Sequence, residues 1–190
     1  MLTFKKVNKN IIFILASSFF YYLTFSVNQQ FFNAYEFSFG VNWIFIPSGV
    51  QLLLVLVAGV YGAIGIFLAS VVIGLQNYYL DSVFLTLITA FISGSSPLLA
   101  RKICIDFLGV RKNLSNITFS LIVKMSLIFG LISASLHQVW FFYNNKSDAF
   151  INDLVVMFSG DIAGTMLVLL LVSFLNMIVL KNMPKRIDDE

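Results

Sequence analysis

Histidine occurs once in this 190-residue chain, cysteine once and proline three times, and only 11% of the residues carry charge. Each shortage excludes something. A lone histidine, His137, rules out a multi-histidine metal centre, and a lone cysteine, Cys104, rules out an internal disulfide framework. There is no glycine-rich phosphate loop and no pair of intramembrane carboxylates, so neither an enzyme nor a resident cofactor or metal is expected. The formal net charge of +3 is dispersed through the flanks of apolar runs. That is not the clustered basic patch that nucleic acid binding requires.

What the chain has in excess is apolar surface: 59% of its residues, and 21 phenylalanines. Soluble domains average about 45–50% apolar, and a core this small cannot hide the surplus, so lipid must act as solvent for much of it. A membrane span needs about 20 mostly apolar residues. Six runs meet or approach that length, near 11–27, 43–59, 62–77, 82–100, 117–140 and 154–180. The expected fold is an all-α integral membrane bundle of six transmembrane helices in a single domain, 1–190. The first run follows Lys5, Lys6 and Lys9 but lacks a small-residue cleavage site, so it reads as an uncleaved span. The fourth is expected to break at Gly94-Ser95-Ser96-Pro97 and to give way to a basic loop or short interfacial helix over 101–116. Residues 181–190 form a tail.

Orientation follows from the basic residues. Under this assignment Lys5, Lys6, Lys9, Arg101, Lys102, Arg111, Lys112, Lys181, Lys185 and Arg186 share one side, and Lys146 alone lies on the other. The positive-inside bias then places both termini and the 101–116 segment in the cytoplasm of a cell whose inner, or plasma, membrane holds the chain.

The costliest residue is Asp161, eight residues past Asp153 and therefore roughly 12 Å into the membrane from the outer face. A carboxylate there is either a ligand- or ion-contacting group in a cavity or a hydrogen-bonded tie between helices. Gln51 lies eight residues past Trp43 and shares that depth, while Ser48, Gln76, Asn77 and His137 lie nearer the outer rim. On depth alone these six line an outward-facing polar pocket, although His137 also suits the interfacial zone by itself. Lys124, the other embedded charge, is expected to snorkel toward the cytoplasmic headgroups. Small residues Gly130 and Ala134 on helix 5, and Gly160 and Gly164 on helix 6, mark close helix packing in lipid.

Two segments together carry a resemblance. Trp43 to Val50, with Pro47-Ser48-Gly49, and the following Gly59 to Leu68, resemble the Pro-x-Gly helix and next helix of bacterial membrane-associated sensor (MASE-type) domains. Gly160-Asp161-Ile162-Ala163-Gly164-Thr165-Met166-Leu167 is similar to the Gly-Asp-x-x-Gly stretch of a later helix in that family. The resemblance implies a stand-alone, shortened sensor-type domain. It would bind an unknown small molecule and signal through a separate cytoplasmic or membrane protein partner. A six-helix protein of this size also resembles the substrate-binding component of energy-coupling factor transporters, which is the competing expectation.

Overall fold

The computed structural model describes residues 2–80, 82–111 and 114–182, with side chains described from 9 to 178 within those ranges. Lys112, the side chains of Lys5 and Lys6, and the tail from 183 to 190 lie outside the described residues. Six α-helices follow one another: α1 Leu2–Phe32, α2 Ile46–Ala58, α3 Val60–Ile73, α4 Val83–Leu108, α5 Phe119–Tyr143 and α6 Phe150–Asn182. Between α1 and α2 lies a small antiparallel hairpin, β1 Glu36–Ser38 and β2 Val41–Asn42, and a single π turn, Gly74–Tyr78, extends α3. Five helices are long and apolar enough to cross a membrane: α1, α3 with its π turn, α4, α5 and α6. With 13 residues, α2 is shorter, about 20 Å against a hydrocarbon thickness of about 30 Å.

That short helix sits at the centre of the bundle. It packs on α1, α3, α4, α5 and α6, and its Leu52 and Val55 are wholly buried. Pro47 lies in its first turn, where a missing N–H costs nothing. Gly59 ends it with a positive φ (+58°) that favours glycine and at once begins α3, with Gly59 N–H on the Val55 carbonyl and Ala63 N–H on the Gly59 carbonyl. This turn holds α2 and α3 as a tight hairpin. The other seams are α1 on α3, α3 on α4, α4 on α5, and α5 on α6.

Helix α6 approaches the start of α2, and the segment leading into it, closely. A methyl group on Gly164 would collide with the Phe45 carbonyl, one on Gly160 with the Asn42 carbonyl, and one on Gly49 with the Gly164 carbonyl. Gly130 faces Phe158 and Ile162 across the α5–α6 seam, where Ala134 is also fully buried. Polar groups tie the α2–α6 crossing. Phe45 N–H donates to the Gly160 carbonyl (3.3 Å), and the Ser48 hydroxyl lies 2.8 Å from the Phe45 carbonyl and 2.9 Å from the Asp161 carbonyl.

Several boundaries differ from expectation; α1 already begins at Leu2 and α6 at Phe150. The first helix continues past Val27 to Phe32, because Asn28 is turned inward and accepts the Ile46 N–H (3.0 Å), a job that does not interrupt a helix. The fourth helix does not break at Pro97. Proline removes a single donor, the one that would have met the Ser93 carbonyl, and the helix runs on through that one missing bond to Leu108. Consequently 101–108 is the last part of α4 rather than loop, and the helix stops only at left-handed Gly109.

Gly164→Val is expected to weaken the fold by about 1–3 kcal/mol or more, as overpacking of a tight seam does, whereas Gly109→Ala, with open space around it, should cost about 1 kcal/mol of backbone strain. Denaturation of the detergent-solubilised protein with a graded denaturant reads both. Equal losses would refute the close α2–α6 contact.

Candidate functional site

Near the hairpin end of the bundle is a cavity of about 80 Å³ to which all six helices contribute. A water needs about 10–15 Å³ by the same measure, so several waters or a small organic group would fit. Its roof is Phe39, at the tip of the β-hairpin. The Phe39 ring meets Tyr78, Tyr79 and Phe141 edge-to-face at centroid distances of 5.4, 5.5 and 5.8 Å. Tyr21 and Phe25 of α1 and Phe45 before α2 continue the aromatic wall.

The polar part of the wall comes from helix interiors. Gln51 Nε2 donates to the Tyr21 hydroxyl (2.8 Å). Ser93 Oγ lies 3.2 Å from His137 Nε2, and His137 Nδ1 lies 2.9 Å from the Ser133 carbonyl. A carbonyl only accepts, so Nδ1 carries a proton and, in the neutral ring, Nε2 is left as the acceptor. Ser93 has a single hydrogen and two acceptors in reach, His137 Nε2 and the Thr89 carbonyl (3.0 Å). Thr89 in turn bonds the Tyr79 hydroxyl (3.3 Å) and receives the Trp140 indole N–H (3.0 Å). The Ser70 hydroxyl borders the cavity beside Tyr21 but makes no full hydrogen bond.

Asp161 is 99% buried and does not itself line the cavity. Ser133, which does, has its side chain next to the acid, and Tyr21 lies within electrostatic range of it. One carboxyl oxygen, Oδ2, has no partner. The acid therefore stands one residue behind the wall.

The six residues grouped by depth are thus divided. Gln51 and His137 line the cavity. Ser48 is spent on the α2–α6 crossing, where its hydroxyl also lies 3.3 Å from Thr165 Oγ1. Gln76 and Asn77 are exposed and outside the cavity. Gln76 accepts from the Tyr22 hydroxyl (3.1 Å), and Asn77 turns back to the Ile73 carbonyl (3.1 Å). His137 is buried, because the α5 face carrying Ser126, Gly130 and Ala134 points into the bundle. Lys124 is exposed on the other side of α5 and does not approach Asp161. Depth reasoning passed over the aromatic wall and the hydroxyls of Ser70, Thr89, Ser93 and Ser133. Their only signal was serine and threonine inside apolar runs, which also occurs where they merely bond their own helix.

Asp153 fastens the roof. It is buried at the start of α6 and accepts the Ser38 hydroxyl from β1 (2.6 Å) and the Ser147 hydroxyl from the α5–α6 loop (2.5 Å). Among the described residues no group of three histidine, cysteine or acidic side chains could hold a metal ion.

Removing both donors with Ser38→Ala and Ser147→Ala leaves a buried acid without partners, so the double variant should lose more stability than Asp153→Asn. The Asp153→Asn loss itself should be about 1.5–3 kcal/mol, the worth of hydrogen bonds to a charged group. Melting curves of the purified variants decide the order, and a milder double variant would show that the latch carries no load. Comparison of the chain with protein-family models, with curated proteins and with solved structures finds no match.

Proposed function

We propose that the chain is a six-span, sensor-type membrane domain whose cavity opens to the exterior, binds a small molecule and acts through a separate protein partner. The observation that carries this reading is the cavity itself: every helix contributes a wall, and the Ser70 hydroxyl and the Asp161 Oδ2 behind Ser133 are without full hydrogen bonds. Buried polar groups are ordinarily satisfied, and in lipid the incentive is stronger. Spare hydrogen-bonding capacity around an aromatic void is what a binding site for a small molecule offers.

Charge supports the orientation. Lys9, Arg101, Lys102 and Arg111 gather at the end opposite the hairpin, whereas Lys146 lies at the hairpin end. With both termini cytoplasmic, the hairpin, the roof and the cavity face outward. Five spans come from the long helices, and α2, sheltered by its neighbours, supplies the sixth.

A transporter substrate-binding component remains the second reading, and one feature favours it. Between α3 and α4 runs an apolar groove along Ala63, Phe67, Phe91, Gly94 and Ser95. A membrane-embedded coupling partner could seat a helix against such small residues. The α5 stripe is not free for that purpose, since Ser126, Gly130 and Ala134 are buried within the bundle.

The test uses the single cysteine. In a Cys104→Ala background, Ser93→Cys should react with a membrane-impermeant thiol reagent added outside intact cells, and Lys102→Cys should react only after the cytoplasmic face is opened. Ser93→Cys that stays unmodified, or that reacts only from inside, would overturn the outward pocket.

A further inference from the structure

We propose that the cavity takes a small organic cation, a substituted ammonium group. This rests on the reading of the cavity as a ligand site and adds the charge of what it holds.

The first observation concerns what the wall lacks. Among the described residues no lysine or arginine lines the cavity, and its one imidazole, His137, carries no permanent charge, so a carboxylate or phosphate would enter a desolvated space with no fixed positive partner, at a cost of several kcal/mol. The second concerns what the wall has. Tyr21, Phe25, Phe39, Tyr78, Tyr79 and Phe141 surround it, and the faces of such rings attract cations, more so when water is excluded.

The third is Asp161. Its surroundings are apolar burial and the Ser133 hydroxyl, with no described lysine or arginine acting on it, and its Oδ2 is unpartnered. A carboxyl so placed needs a proton or a neighbouring positive charge. An ammonium in the cavity would supply that charge through Ser133, which faces the cavity on one side and the acid on the other. The Ser70 hydroxyl, which makes no full hydrogen bond and sits beside Tyr21, offers an acceptor for an N–H or O–H of the same ligand. At the mouth, Lys146 lies with its Nζ 5.5 Å from the Phe39 centroid, exposed to screening.

The experiment uses the full chain purified in detergent and titrated calorimetrically with choline, tetramethylammonium and methylammonium. Parallel titrations use the neutral carbon isostere of choline, in which carbon replaces nitrogen, and inorganic phosphate. At least one ammonium probe should bind saturably. Choline should bind about 10-fold or more tighter than its isostere, the preference expected of a desolvated cation–π site. Asp161→Asn should reduce that preference several-fold. Equal binding of choline and its isostere, preference for phosphate, or no saturable binding of any ammonium probe would each overturn the inference. The wild-type comparison decides even if the Asp161 variant fails to fold. Loss of this proposal with outside labelling of Ser93→Cys intact would leave the outward pocket standing and its ligand uncharged or anionic.

Discussion

The crossing of α2 and α6 is the contact on which the rest depends. Two helices with side chains at their interface lie about 8–10 Å apart. Here backbone meets backbone, because Gly49, Gly160 and Gly164 leave no Cβ between the chains. That proximity lets Phe45 N–H reach the Gly160 carbonyl and lets one hydroxyl, Ser48, touch groups on both helices. In lipid there is little hydrophobic gain from bringing helices together, so such van der Waals and hydrogen-bonded contacts carry the association. Any side chain at Gly164 would push α2 away from α6 and loosen the short helix that every other helix packs against.

The crossing also explains why the cavity exists where it does. With α6 held hard against the start of α2, Asp161 is locked beside that seam, and Met157, one turn nearer the start of α6, reaches the cavity wall. Large rings from α1, the hairpin and the α3–α4 connection close around the remaining space. Asp153, four residues before Met157 on the same helix, holds the hairpin down through Ser38. The roof and the deep acid are therefore two ends of a single stretch of α6, separated by about two turns.

Much of the architecture was legible because apolar length is a direct physical requirement for crossing lipid, and the long runs matched long helices. Asp161 was legible for the complementary reason, that a buried carboxylate is costly wherever it sits. Where the reading failed, it used depth without azimuth. Gln76 and Asn77 occupy the right height but the wrong side of their turn, since consecutive positions rotate by about 100°, and a π turn at Gly74–Tyr78 shifts the phase further. His137 was underestimated for the same reason: its place on the buried Gly130–Ala134 face outweighs its nearness to the helix end. The continuity of α4 through Pro97 was missed because a proline costs a helix one ladder bond without having to end it. Phe39 was hidden because its role depends on a seven-residue hairpin folding back over helices far away in sequence.

One feature of α6 has a mechanical side. From Leu170 to Ile178 nearly every residue is exposed, so the helix leaves the packed bundle while continuing unbroken to Asn182. The glycine contacts at Gly160 and Gly164 act as a fulcrum, and from there to the far end the rod measures roughly 30 Å. A tilt of about 5° at that pivot would swing the far end by about 3 Å, on the order of the shifts by which packed helices report a bound ligand. The helix that carries the deep acid is thus also a long lever, whose far end would travel further than its pivot under any such tilt.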